Sequence, residues 1–117
     1  DFARLGLLYL QNGRWNGEQL WPEDWVQYST TPTTTLLNGV SADNPIGYGA
    51  QLWLSPPLKR GVPAAEYFML GWADQSVYMV PDKDLVIVRM GMTKPGSNAW
   101  DFKSFAGLVQ AAFSEKN

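Results

Sequence analysis

Two apolar runs, Ser76–Val80 and residues 85–90, are separated only by Pro81-Asp82-Lys83-Asp84. Parallel strands need a crossover of a dozen residues or more, so four residues of turn chemistry dictate an antiparallel hairpin. The second run, Leu85-Val86-Ile87-Val88-Arg89-Met90, is apolar on both faces as far as Arg89, which predicts a central, covered strand. Two further strands are expected upstream. In residues 48–54, Tyr48, Ala50, Leu52 and Leu54 alternate with Gly49, Gln51 and Trp53, until Ser55-Pro56-Pro57 ends the run. The other is Glu66-Tyr67-Phe68-Met69-Leu70, running to Gly71. Downstream, Phe102, Phe105, Val109 and Phe113, supported by Leu108 and Ala112, trace one face of a helix over residues 101–115, a cover for the sheet. Met69, Met79, Met90 and Met92 fall along the strands and read as core filler. The expected fold class is α+β: an antiparallel β-sheet with packed helices.

The first 45 residues read as helix and loop. Phe2, Leu5, Leu8 and Tyr9 recur at helical spacing, predicting a helix over residues 1–10 that Asn12-Gly13 closes with a left-handed cap. Its apolar face is running by the second residue with no loop before it, which reads as a cut through a larger domain. Trp15-Asn16-Gly17-Glu18 predicts a tight hairpin or corner. Trp21-Pro22-Glu23-Asp24-Trp25 opens a short helix, with Pro at its first position and an end near Tyr28. Residues 29–45, rich in Thr, Ser, Asn and Pro, form a loop of about seventeen residues, long enough to suggest a lid or binding loop. The whole chain, 1–117, is expected to be a single unit, with 1–45 helical and looped and 46–117 holding the strands and the last helix.

Composition narrows the chemistry. The sequence has no histidine and no cysteine, so it cannot by itself build a Ser-His-Asp triad, an imidazole base, a thiol nucleophile, a disulfide, or a Cys- or His-ligated metal site. The compartment stays open, periplasmic or cytoplasmic. Nine Lys plus Arg against 11 Asp plus Glu, with Lys59-Arg60 the one adjacent basic pair, argue against a nucleic-acid surface. No apolar run approaches the roughly 18 to 20 residues of a membrane span. Asp82 and Asp84 read as turn formers rather than a carboxylate dyad.

Four segments in order, residues 1–10, 13–20, 46–49 and 80–89, resemble the C-terminal third of the serine β-lactamase-related hydrolases. The class C-like branch, with 6-aminohexanoate-dimer hydrolase and the family VIII esterases, is the most similar. The resemblance implies a C-terminal portion of the β-lactamase/transpeptidase-like fold and a small amide or ester substrate cleaved through an acyl-serine. It also implies three active-site elements: Ser-x-x-Lys, Tyr-x-Asn or Tyr-x-Ser, and a Lys-Thr-Gly-like or His-x-Gly-like strand. This sequence contains neither of the first two, which in the family lie upstream, so no catalytic side chain is expected here and the chain alone is expected to be inert.

The third element falls at Gly71-Trp72-Ala73-Asp74-Gln75, where related sequences read Gly-His-x-Gly-Gln. The resemblance implies that Trp72, Ala73, Asp74 and Gln75 line the substrate site, Trp72 as a wall and the Gln75 backbone N–H as an oxyanion donor. Asp74 replaces a glycine and would crowd that site with a Cβ and a charge. Tyr48 either faces the cleft or is a structural aromatic. No metal or organic cofactor is implied. The expected partner is the upstream part of the same protein or another copy, paired through an exposed sheet edge. The competing reading is a non-catalytic module that binds a small ligand or peptide through the Trp72 region and the Thr-rich loop.

Overall fold

A computed structural model describes residues 1–33, 46–94, 96–97 and 100–113. Helix α1 (Phe2–Leu10) ends where Asn12 and Gly13 take positive φ, 53° and 76°, and the Gly13 N–H donates to the Leu8 carbonyl at 2.8 Å. A hairpin follows, β1 (Arg14–Trp15) paired with β2 (Glu18–Gln19). Its two turn residues, Asn16 and Gly17, both have positive φ, the backbone a two-residue hairpin requires. Helix α2 (Trp25–Thr30) starts three residues later than the Pro22 signal suggested and runs two past Tyr28. Pro22 lies in the preceding turn, whose carbonyl accepts the Trp25 N–H at 3.0 Å. Of the expected loop, residues 34–45 lie outside the described residues.

The main sheet has five antiparallel strands in sequence order: β3 (Gly47–Tyr48), β4 (Trp53–Leu54), β5 (Tyr67–Leu70), β6 (Ser76–Val80) and β7 (Leu85–Arg89). The continuous strand expected over 48–54 is instead a hairpin. The Gly49 N–H donates to the Leu52 carbonyl at 2.9 Å, Gln51 takes φ 65°, and the Ala50 N–H donates to the Ser29 carbonyl at 3.0 Å. Alternation of apolar residues, read alone, could not reveal that the chain reverses against α2. The strand expected to be central, β7, is the last strand of the described sheet. Its two-sided apolar character arises from helices on both faces, while β6, between β5 and β7, is buried throughout.

Those faces are separate cores set by strand alternation. On one, Tyr67, Met79 and Val86 form a cross-strand row, with Met69, Val77 and Val88 beside it, under Leu5 and Tyr9 of α1. Gly6 permits the close approach: a Cβ there would stand 2.5 Å from Val86 Cγ1. On the other face, Phe68, Tyr78 and Ile87 form the next row, covered by α3 (Phe102–Ala112) through Phe102, Phe105, Ala106 and Val109. Phe68 and Tyr78 stack at 5.3 Å, and Phe102 reaches both rings at 5.2 Å. Asp101 caps α3, its carboxylate accepting the Lys103 and Ser104 N–H groups at 3.0 and 3.2 Å.

Five side-chain expectations change, at Leu108, Ala112, Phe113, Met90 and Met92. Leu108, at 72% exposure, Ala112 and Phe113 lie off the packed face of α3, which the 102, 105, 106, 109 spacing fills alone. Residues 114–115 lie outside the described set. Met79 is core, and Met69 packs against it, but Met90 and Met92 follow the end of β7 and are exposed.

Candidate functional site

The β5–β6 connection carries the candidate residues. Trp72–Asp74 form a tight turn, across whose base the Gly71 N–H donates to the Gln75 carbonyl at 2.8 Å. Trp72 lies outside the strands and is 79% exposed. Ala73 (φ 57°) and Asp74 (φ 63°) are consecutive left-handed residues. That backbone favours glycine, yet here both positions carry a Cβ.

The segment after β7 straps this turn. Arg89 Nη1 donates to the Ala73 and Asp74 carbonyls, both at 3.0 Å, and the Thr93 N–H donates to the Ala73 carbonyl at 3.1 Å. The Gln75 side chain pairs with Gly91 in both directions, its Nε2 donating to the carbonyl and its Oε1 accepting the N–H at 3.0 Å. The Gln75 backbone N–H has only a 3.4 Å contact to the Trp72 carbonyl, at the outer limit of a hydrogen bond.

Trp72, Ala73 and Asp74 line a surface hollow of about 240 Å³ with Thr93, Lys94 and Ser97. Gln75 instead borders a larger, mostly apolar groove of about 320 Å³ with Gly71, Phe2, Leu70 and Met90. The turn therefore contributes to both depressions. Tyr48 stands apart. It sits three strands from β6, its ring edge-on to Trp53 at 4.9 Å, and lines neither depression.

A second polar group lies under α3. The Tyr78 hydroxyl donates to Glu66 Oε2, shares a 2.9 Å hydrogen bond with Ser55 Oγ, and Gln110 Nε2 reaches the same carboxylate at 3.5 Å. Burial, then the Glu66 hydrogen bond, push the Tyr78 phenol far above its ordinary value, so it is no proton acceptor near neutrality. This group ties α3 to the sheet. Among the described residues no cluster of three or more His, Cys, Asp or Glu is placed to hold a metal, and no helix is long and apolar enough to cross a membrane.

Sequence reasoning missed Arg89, Gly91, Thr93 and Lys94. The available signal was Arg89, a charge closing an apolar strand; that it folds back onto 73–74 follows from its register opposite Ser76.

The antiparallel meander with a helix on each face is the C-terminal portion of a β-lactamase-like fold, and solved structures match the chain. Among them is a Bacillus anthracis protein described as a "Putative 6-aminohexanoate-dimer hydrolase". The two superpose with a TM-score of 0.69 at 26% sequence identity, over 97% of this chain and 27% of that one. The chain thus spans about a quarter of the length of that protein. No family model matches the sequence, and no curated protein does.

Proposed function

We propose that this chain is the C-terminal segment of a serine hydrolase that cleaves small amide or ester substrates through an acyl-serine. The observation carrying this reading is the structural match over 97% of the chain to a protein described as a hydrolase. In this reading residues 1–117 supply sheet strands, the closing helix and one cleft wall. The Ser-x-x-Lys and Tyr-x-Asn elements come from sequence upstream.

The β5–β6 turn faces substrate. Trp72 is its apolar wall, Ala73 and Asp74 border the hollow, and the weakly engaged Gln75 N–H turns to the developing oxyanion, a stronger acceptor than the Trp72 carbonyl. Tyr48 belongs to the outer wall. The chain alone performs no acyl transfer, because a donor without a nucleophile and base accelerates nothing. The upstream part, or a second copy, pairs with the free edge of β7.

The test is intact mass of the protein from its native source, before and after a fluorophosphonate serine probe. Gain of one probe mass is expected. A native protein that takes no label removes the acyl-serine reading. It would leave the second reading, a ligand-binding module, which the Asp74 carboxylate in place of glycine favours.

A further inference from the structure

We propose that Arg89 is a positioning residue for the β5–β6 turn: its guanidinium clamps the carbonyls of the two left-handed residues and so fixes where the Trp72 ring and the Gln75 N–H stand. The argument starts from conformational cost. A residue with a Cβ is disfavoured in the left-handed region, and two such residues in succession persist only where their surroundings over-determine them. Here Ala73 and Asp74 have φ of 57° and 63°.

The surroundings are supplied by one segment. Arg89 Nη1 reaches both carbonyls at 3.0 Å, Thr93 adds a third bond to Ala73, and Gly91 holds the Gln75 side chain. Arg89 arrives there because it closes β7 opposite Ser76, at the end of the strand pair from which the turn springs. The Trp100 ring lies 4.5 Å from the guanidinium carbon and fixes its plane. Both bonds leave from Nη1, and a lysine at 89 would keep the charge but not the flat guanidinium face that rests on Trp100 and aims that nitrogen. The clamp is a property of this chain's own geometry. What the turn then does for substrate rests on the hydrolase reading.

The test is a mutational cycle in the full-length protein, read by backbone hydrogen exchange. Arg89→Met removes the clamp and keeps an apolar stem on Trp100, while Ala73→Gly with Asp74→Gly removes the cost that the clamp offsets. Arg89→Met is expected to speed exchange at the Thr93 and Gly71 amides, which donate to the Ala73 and Gln75 carbonyls, about tenfold, or ~1.4 kcal/mol. On the double-glycine background the effect is expected to shrink to about threefold or less. Arg89→Lys is expected to behave like Arg89→Met, and it carries the same readout should Arg89→Met fail to fold.

Unchanged exchange at both amides, or equal effects on both backgrounds, would overturn the proposal, since an arginine that merely packs on Trp100 has no coupling to residues 73 and 74. Ester turnover measured on the same variants separates the two readings. Strong coupling in a protein without turnover leaves the clamp standing and counts against the hydrolase alone.

Discussion

At Gly49 a methyl group has no place to go, because a Cβ built there overlaps the Ser29 carbonyl oxygen, a backbone atom held by the Ala50 N–H. The β3–β4 reversal is wedged against the end of α2, and Ser29 and Thr30 are buried beneath it with their hydroxyls on the Val26 carbonyl. Gly49→Ala must move one of these backbones. A loss of about 3 kcal/mol in chemical denaturation is expected, and a loss below ~0.5 kcal/mol would show that the two segments separate freely. Ala73 and Asp74 pose the opposite case, in which the side chain is accommodated and the backbone angle carries the cost. Three positions of one sequence therefore favour glycine for two unrelated reasons, and only position 49 has it.

Helix α1 meets the sheet through phenols as well as aliphatic groups. Tyr9 packs edge-on against Tyr67 of β5 at 6.1 Å, and burial, followed by the proximity of Tyr9, pushes the Tyr67 phenol up to about 12. Tyr9 is raised too, first by burial. The sign follows from which state holds the proton. Below about pH 10 folded and unfolded chains are both neutral at these groups and the contribution is complete. As pH rises from 10 toward 12 the unfolded Tyr67 phenol ionises while the folded one does not, so stability is lost across that window. For Tyr67 the span is on the order of 2 to 3 kcal/mol. Urea midpoints measured from pH 8 to 12 are expected to fall less steeply in Tyr67→Phe than in the parent, and identical slopes would refute the assignment.

Much at this scale was legible in the sequence. The β6–β7 hairpin, the cap at Asn12-Gly13 and the packed stripe of Phe102, Phe105 and Val109 all rest on local spacing. The misreadings were tertiary: reversal at Gly49 needs Ser29, and the apolar faces of β7 need α1 and α3. The candidate site divides in the same way: residues 71–75 are contiguous in the sequence, whereas Arg89 and Thr93 join them only through strand register.

Across the described molecule the sheet is covered on its faces and has two edge strands, β3 and β7. β7 is covered above and below, yet its outer backbone groups meet no strand among the described residues. The isolated 117-residue chain is expected to self-associate as its concentration rises, visible as a concentration-dependent sedimentation coefficient. A single monomer boundary at high concentration would rule out pairing through this edge. The order of the elements along the chain also has a bearing on synthesis. Helix α1 leaves the ribosome about 65 residues ahead of β6, on which its apolar stripe rests. At about 5 to 20 residues per second the helix waits roughly 3 to 13 s for its platform, whereas β5, β6 and β7 each find their neighbour almost as soon as it is made. During that interval Leu5, Tyr9 and Leu10 are open to chaperones and to other nascent chains, so the first helix is where translation speed bears most directly on yield.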